Sequence, residues 1–214
     1  MPSDVGRFLP RRTAVKFARS VLGLDVRRAA SREYDLQIYP AGREATRRLM
    51  YFYDLMVKIN DVDGDIVECG VGAGTSLFVF SVISSVLHNP RQLWGFDTFE
   101  GLPAPSEEDG AINANKEGFF SYSKEHVIAL MNHNGLDESF ISKNITFIPG
   151  EFNESLRHYQ GAQIAFLHID VDFYDSYKSA LEILFEHVAV GGIIAVDEYS
   201  DGGWPGATQA IDEF

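Results

Sequence analysis

The chain has one cysteine, Cys69, among 214 residues. A lone thiol excludes an internal disulfide framework and any multi-cysteine zinc site. It fits a reducing compartment such as the cytoplasm. Long apolar runs are absent too: the longest nearly apolar stretch, Leu77 to Leu87, falls short of the ~20 residues a membrane-spanning helix needs. Met1 to Leu24 has no continuous apolar core, which argues against a secretory signal. There is no internal repeat, and 13% aromatic residues is too many for a disordered or collagen-like chain. Positive charge is scarce, with 18 Lys and Arg against 31 Asp and Glu. The scarcity is uneven. Residues 51–214 hold seven basic residues against twenty-six acidic ones, whereas residues 1–50 hold eleven against five. An acidic body excludes a nucleic-acid-binding core, because phosphate neutralisation needs clustered Lys and Arg.

What is present suits one folded α/β unit with an appendage. At this length roughly 70% of the unfolded surface can be buried, so no staple is required. Residues 8–32 carry Phe8, Leu9, Val15, Phe17, Ala18, Val21 and Leu22 among six arginines and a lysine, several at helical spacing. Arg43 to Ile59 repeats the pattern. We read residues 1–62 as a basic helical extension that packs on the acidic body of its own or a neighbouring chain, which allows a homodimer. A membrane-surface helix and an organelle-targeting segment are the other readings of so basic a stretch. Asp61 to Gly64 reads as a turn.

From residue 63 the texture alternates. Strand patterns lie at Ile66–Val71, Leu93–Phe96, Ile145–Ile148, Ile164–Val171 and Gly192–Val196. Helical patterns lie at Ser76–Leu87, Ser123–Asn134, Ser176–Val188 and from Thr208 onward. This predicts a doubly wound, mostly parallel sheet with helices on both faces, and a ligand site at the carboxyl ends of the strands.

The residues after each strand are therefore the informative ones. After the first come Gly70, Gly72 and Gly74, which allow a sharp turn and close approach of a ligand, with Thr75 and Ser76 as caps of the next helix. The spacing misses the dinucleotide fingerprint by one residue. Glu68, two residues before the first glycine, suits a cationic amine better than a pyrophosphate. After the second strand, Asp97 stands 27 residues beyond Gly70, where a carboxylate can accept from both ribose hydroxyls, or can equally cap a turn. After the third, Gly150 lets the chain pass a flat ring that Phe152 would border. After the fourth and fifth stand Asp170, Asp172, Asp197 and Glu198. Carboxylates gathered at one sheet edge repel one another, and no Lys or Arg lies between Gly161 and Tyr177. A divalent cation with oxygen ligands (Mg²⁺, Mn²⁺ or Ca²⁺) resolves the repulsion. Tyr174 and Lys178 form the YxxxK spacing of short-chain dehydrogenases. The tyrosine follows the wrong strand crossing, and the glycine spacing disagrees.

Six segments stand in order: Ile66-Val-Glu-Cys-Gly-Val71, Trp94-Gly-Phe-Asp-Thr-Phe-Glu-Gly-Leu-Pro103, Asp170-Val-Asp-Phe-Tyr-Asp-Ser176, Val190-Gly-Gly192, Val196-Asp-Glu-Tyr199 and Ala210-Ile-Asp-Glu-Phe214. Over residues 64–214 the chain resembles the macrocin O-methyltransferase family, which methylates sugar hydroxyls on antibiotic-type natural products. The resemblance implies S-adenosylmethionine as methyl donor in a domain covering 63–214. It implies Glu68, Gly70, Gly72 and Thr75, with Ser76, around the methionine part, and Asp97 on the ribose. It also implies Mg²⁺ on Asp170, Asp197 and Glu198, Asp172 as base, and Asp170 bordering the donor. The family usually has two aspartates at the positions of Asp197 and Glu198, and often glycine at Val171. The longer Glu198 would move its ligand oxygen outward. Methyltransferases of this class normally continue into a sheet-closing antiparallel hairpin, which would follow Phe214.

The chemistry expected is methyl transfer to a hydroxyl of a small-molecule acceptor, with neither nucleic acid nor membrane as partner. A cation chelating a vicinal diol would stabilise the alkoxide, and Asp172 would take the proton. His168 is the weaker base, better suited to core packing. Residues 100–123 form a long segment at the ligand edge and read as a substrate-gating lid. A nicotinamide-dependent oxidoreductase and a non-catalytic scaffold are the competing classes. The glycine spacing and the clustered carboxylates speak against the first, and the intact set of Glu68, Asp97, Asp170, Asp172, Asp197 and Glu198 against the second.

Overall fold

The computed structural model describes residues 43–200 and 202–214. The helix expected within residues 8–32 lies outside them. Among the described residues the chain runs α1 (Arg43–Lys58), β1 (Asp65–Cys69), α2 (Thr75–Val86), β2 (Leu93–Asp97), α3 (Lys124–His133), α4 (Glu138–Asn144), β3 (Ile145–Pro149), α5 (Phe152–Ser155), β4 (Ile164–Ile169), α6 (Tyr174–Leu184), β5 (Val188–Val196) and α7 (Pro205–Glu213). The five strands form one sheet in the order β3-β2-β1-β4-β5, and every neighbouring pair is parallel. The order reverses between β1 and β4. This is the crevice where a doubly wound sheet opens a binding site.

Both faces of the sheet are buried, so the strands read as continuous apolar runs. One core gathers Phe52 and Met56 of α1 and the following Ile59 with Leu77, Phe80 and Ile83 of α2 over Ile66 and Phe166. The other gathers Tyr177, Leu181 and Leu184 of α6 with Ala207 and Ala210 of α7 over Val67, Leu167 and Ile169. Alternation along each strand assigns the faces: Ile66 and Val67 are neighbours yet fall in opposite cores. Helix α1 is thus part of the domain's packing, and a division at residue 62 runs through a shared core. Arg91 fastens this junction. Its guanidinium donates to the carbonyls of Gly64 (2.6 Å), Ile59 (2.9 Å) and Asn60 (3.2 Å), satisfying acceptors at the end of α1 and in the following turn.

Several boundaries differ from the sequence expectation. The sixth helix starts two residues early, at Tyr174, and tightens into a 3₁₀ turn over Phe185–His187. β5 begins at Val188, four residues before the expected Gly192. Its register against β4 slips between Ile164 and Phe166, where Gly191 takes φ 87° and Val190 projects fully into solvent. Periodicity cannot place such a bulge, because the extra residues keep strand-like composition. Two short helices, α4 and α5, also went unread. They are seven and four residues long, too short for a periodic signal. No helix among the described residues is long and apolar enough to cross a membrane.

Candidate active site

The carboxyl ends of the strands surround a cavity of about 550 Å³. The backbone ladder continues past the strand ends and fixes its floor: Gly70 N–H donates to Phe96 O, Asp170 N–H to Cys69 O, and Asp197 N–H to Ile169 O. The chain after β1 and the chain after β4 are thereby pressed together. A Cβ on Gly70 would lie 1.8 Å from the Asp170 carbonyl oxygen, so no side chain fits there. Gly72 differs. At φ 50° it faces open space, with nothing within 4 Å of where a Cβ would stand, and it lines the cavity. A side chain there would fill part of the cradle. The glycines thus serve two ends, close packing at 70 and room for a ligand at 72. Gly74 (φ 87°) is the N-cap of α2 and makes no side-chain capping bond. The expected caps, Thr75 and Ser76, instead line the cavity, because the helix begins one residue earlier than a hydroxyl cap requires.

Asp97 lines the cavity and also holds the glycine loop: one carboxylate oxygen accepts from Gly72 N–H at 2.9 Å, the other from Phe99 N–H at 2.7 Å. The ribose and turn readings are therefore compatible, since an ionised carboxylate offers about four acceptor positions. Phe152, at the start of α5, is buried and lines the cavity. Gly150 stands apart from the lining and donates its N–H to the Asp97 carbonyl oxygen.

Glu68 also stands apart from the lining. Its side chain is fully buried, and Oε1 lies 3.0 Å from Nδ1 of His168. Oε2 has no hydrogen-bond partner. Burial drives the Glu68 pKa up to about 7. His168 sits edge-on to Phe52 and Phe80 and stacks on Phe166, which is core packing.

The four carboxylates expected at this edge do meet. Asp170, Asp172, Asp197 and Glu198 all line the cavity. Their neutralisation, however, is partly internal. Arg48 of α1 donates from Nη2 to Asp170 Oδ2 at 3.0 Å and from Nη1 to Asp197 Oδ2 at 3.2 Å. Nη2 also lies 3.3 Å from Ser76 Oγ. The sequence window around Asp170 holds no basic residue, so the counter-charge comes from more than a hundred residues away. One signal was available. Arg48 shares a helix face with Phe52, Leu55 and Ile59, and a charge on the buried face of an amphipathic helix calls for a partner.

Glu198 lines the cavity beside Asp170 and Asp197 and has a second partner. It is buried, and the Tyr177 hydroxyl donates to its Oε2 in a short hydrogen bond. Burial, with Asp170 close by, raises its pKa to about 9. The His168, Asp170 and Asp197 side chains each offer a donor atom within 4.8 Å of the other two. Two hard carboxylate oxygens in this set fit Mg²⁺ or Mn²⁺. Asp172 adopts φ 63°, uncommon for a residue with a side chain. Burial, then the neighbouring Asp170, raises its pKa to about 7, while Lys116 opposes the rise.

Residues 98–123 form one wall. Two buried polar side chains pin them. Asp109 accepts from Tyr174 N–H at 2.8 Å and from Ser106 N–H at 2.8 Å. Asn113 donates to the Asp109 and Gly203 carbonyl oxygens. Lys116 Nζ lies 3.6 Å from the centre of the Trp204 ring, itself in the lining. Leu102, Pro103, Phe120 and Tyr122 bring apolar surface to the mouth. The Tyr174–Lys178 pair stands away from this cavity: Tyr174 donates to Glu213 at 2.6 Å.

A glycine cradle, an acid after β2 and an acidic group after β4 and β5 now lie around one cavity. Residues 27–214 match the TylF family, described as macrocin O-methyltransferase. The chain belongs to that family. It is 29% identical over 150 residues to the 8-demethyl-8-(2,3-dimethoxy-alpha-L-rhamnosyl)-tetracenomycin-C 4'-O-methyltransferase of Streptomyces olivaceus. That match covers 67% of this chain and 56% of the relative. It is also 29% identical over 160 residues to the demethyldecarbamoylnovobiocin O-methyltransferase of Streptomyces niveus, covering 72% of this chain and 59% of the relative. The chain therefore spans less than two thirds of these curated relatives. Among solved structures, the O-methyltransferase NovP superposes with a TM-score of 0.67 at 29% identity, over 78% of this chain and 70% of NovP. The calicheamicin methyltransferase CalS11 superposes with a TM-score of 0.72 over 99% of this chain and 90% of its own. At 23% identity, that second likeness is one of fold.

Proposed function

We propose that this protein is an S-adenosylmethionine-dependent O-methyltransferase that methylates a sugar hydroxyl of a natural product, with a divalent cation held at Asp170 and Asp197. The observation that carries the reading is the meeting of Gly72, Asp97, Asp170 and Asp172 around one cavity at the switch point of the sheet. Family membership supports the reaction class. One relative's name specifies a rhamnosyl 4'-hydroxyl as its acceptor group, which supports a sugar here.

When bound, the donor supplies an electrophilic methyl carbon and the cation supplies positive charge for a developing alkoxide. The chain's residues do the rest. Gly72 leaves room for the methionine part, and Asp97 has lone pairs left for ribose hydroxyls. Phe152 offers a flat border, and Asp170 and Asp197 orient the cation. Asp172 takes the proton of the attacking hydroxyl as the new carbon–oxygen bond forms. Burial and the neighbouring Asp170 hold its carboxyl above the usual range, which makes it a stronger base toward a hydroxyl. An acceptor with two neighbouring oxygens suits this reading, because a cation held by Asp170 and Asp197 would accept both as ligands. Leu102, Phe120 and Tyr122 offer apolar surface for the remainder of the acceptor, and residues 100–123 gate it.

The test is calorimetric titration of S-adenosylmethionine and, separately, NAD, with and without Mg²⁺. Micromolar binding of the methyl donor and none of NAD is expected. NAD binding alone would overturn the reading. An acceptor screen among glycosides with vicinal hydroxyls then follows, with methylated product detected by mass.

A further inference from the structure

Arg48 binds one oxygen of each carboxylate that a cation here would need. Its two terminal nitrogens reach Oδ2 of Asp170 and Oδ2 of Asp197, at 3.0 and 3.2 Å. Those two carboxylates, with His168, are the side chains whose donor atoms converge within 4.8 Å. We propose that Arg48 is the resident counter-cation of the Asp170–Asp197 pair and sets the affinity of the site for a divalent ion by competing for the same carboxylates. The inference rests on reading this pair as the cation site.

Three physical points support it. A guanidinium and a divalent ion on one pair of carboxylates repel at close range, so the presence of one weakens the binding of the other. Charge-assisted bonds of this kind are the stronger hydrogen bonds in proteins, so an ion must replace them to bind. And Arg48 can yield by side-chain motion alone. Helix α1 is anchored by Phe52, Met56 and Ile59, all nearly inaccessible, so its backbone stays in place. The guanidinium already lies 3.3 Å from Ser76 Oγ and 5.2 Å from the centre of the Phe52 ring, which remain as partners when the carboxylates are given up. Without an ion the two aspartates are partly neutralised from within. A monovalent ion gains too little from the pair to displace Arg48, whereas a divalent one can.

The experiment measures Mn²⁺ binding, by the electron paramagnetic resonance signal of the free ion, to wild type, Arg48→Met and Arg48→Lys. The methionine keeps stem length and removes the charge. Its affinity for Mn²⁺ should rise about tenfold or more, with the lysine variant between it and wild type. In wild type, Mg²⁺ should also shift the assigned NMR resonance of the Arg48 guanidinium. Equal or weaker Mn²⁺ binding by a folded Arg48→Met overturns the competition and leaves the cation site standing. An absence of Mn²⁺ binding in all three proteins overturns both. Should Arg48→Met fail to fold, the wild-type titration decides: an Arg48 resonance unmoved at saturating Mg²⁺ overturns the proposal.

Discussion

The two ends of the sheet use similar residues to opposite effect. At the amino end, Asp65 Oδ2 accepts from Trp94 Nε1 at 2.9 Å and from the Tyr159 hydroxyl at 3.1 Å. Arg91 closes three backbone carbonyls beside it. One carboxylate meets two neutral donors, and the polar groups are matched. At the carboxyl end, one guanidinium serves both Asp170 and Asp197, while Asp172 and Glu198, beside them, have raised pKa values. Matched polar groups hold a fold together. Unmatched ones, kept at a cavity, are where binding and proton transfer occur. Substitutions at the amino end should therefore cost stability, and those at the carboxyl end should cost activity.

The largest effect is expected at the carboxyl end. Asp172→Asn should lower turnover of a methyl acceptor by about 10²–10⁴-fold, the usual contribution of a positioned base, with little change in melting temperature. Turnover near wild type with the cation present would sink the assignment of Asp172 as base. At the other end, Arg91→Ala should destabilise the protein by about 2–4 kcal/mol, because three carbonyls lose their donor. Urea denaturation measures this, and donor binding extrapolated to the folded fraction should be unchanged.

Glu68→Gln separates stability from chemistry in a third way. The Glu68 carboxyl titrates near 7 in the folded protein and near 4.5 when unfolded. Its folded pKa is raised, so the folded state holds the proton more tightly. That contribution to stability is fully present below pH 4.5 and is lost as pH rises through about 7. The difference in melting temperature between wild type and Glu68→Gln should therefore change between pH 5 and 8. A constant difference over that range would show that Glu68 does not titrate there. The smallest effect is expected from Trp94→Phe, which removes one of two donors to Asp65 and should cost about 1 kcal/mol. A loss of activity larger than that loss of stability would break the contrast between the two ends.

Much of this was legible before folding. The apolar runs of β1 to β4 fall within one or two residues of where periodicity put them, because a strand buried on both faces needs an unbroken run. Gly72 and Asp97 were identifiable from position alone, since residues just after parallel strands must line the crevice. Glu68 was less so. Its place before the glycines suggested a ligand, but alternation turned its side chain into the core beside His168. The place of Glu198 at the cavity was legible from position too, but its bond to the Tyr177 hydroxyl was not. Thr75 and Ser76 were read as caps, and the helix starts one residue too soon for that.

The sequence by itself determined the parallel sheet, its two buried faces and the convergence of acidic residues on one edge. These follow from period, run length and the rule that parallel strands all end on the same side. Tertiary structure alone decided how those acids are balanced. Arg48 lies 149 residues from Asp197, Tyr177 lies 21 from Glu198, and His168 lies 100 from Glu68. A pattern in sequence reports what its own neighbours require. Charge acts through space, so its partners are known only once packing has brought distant elements together.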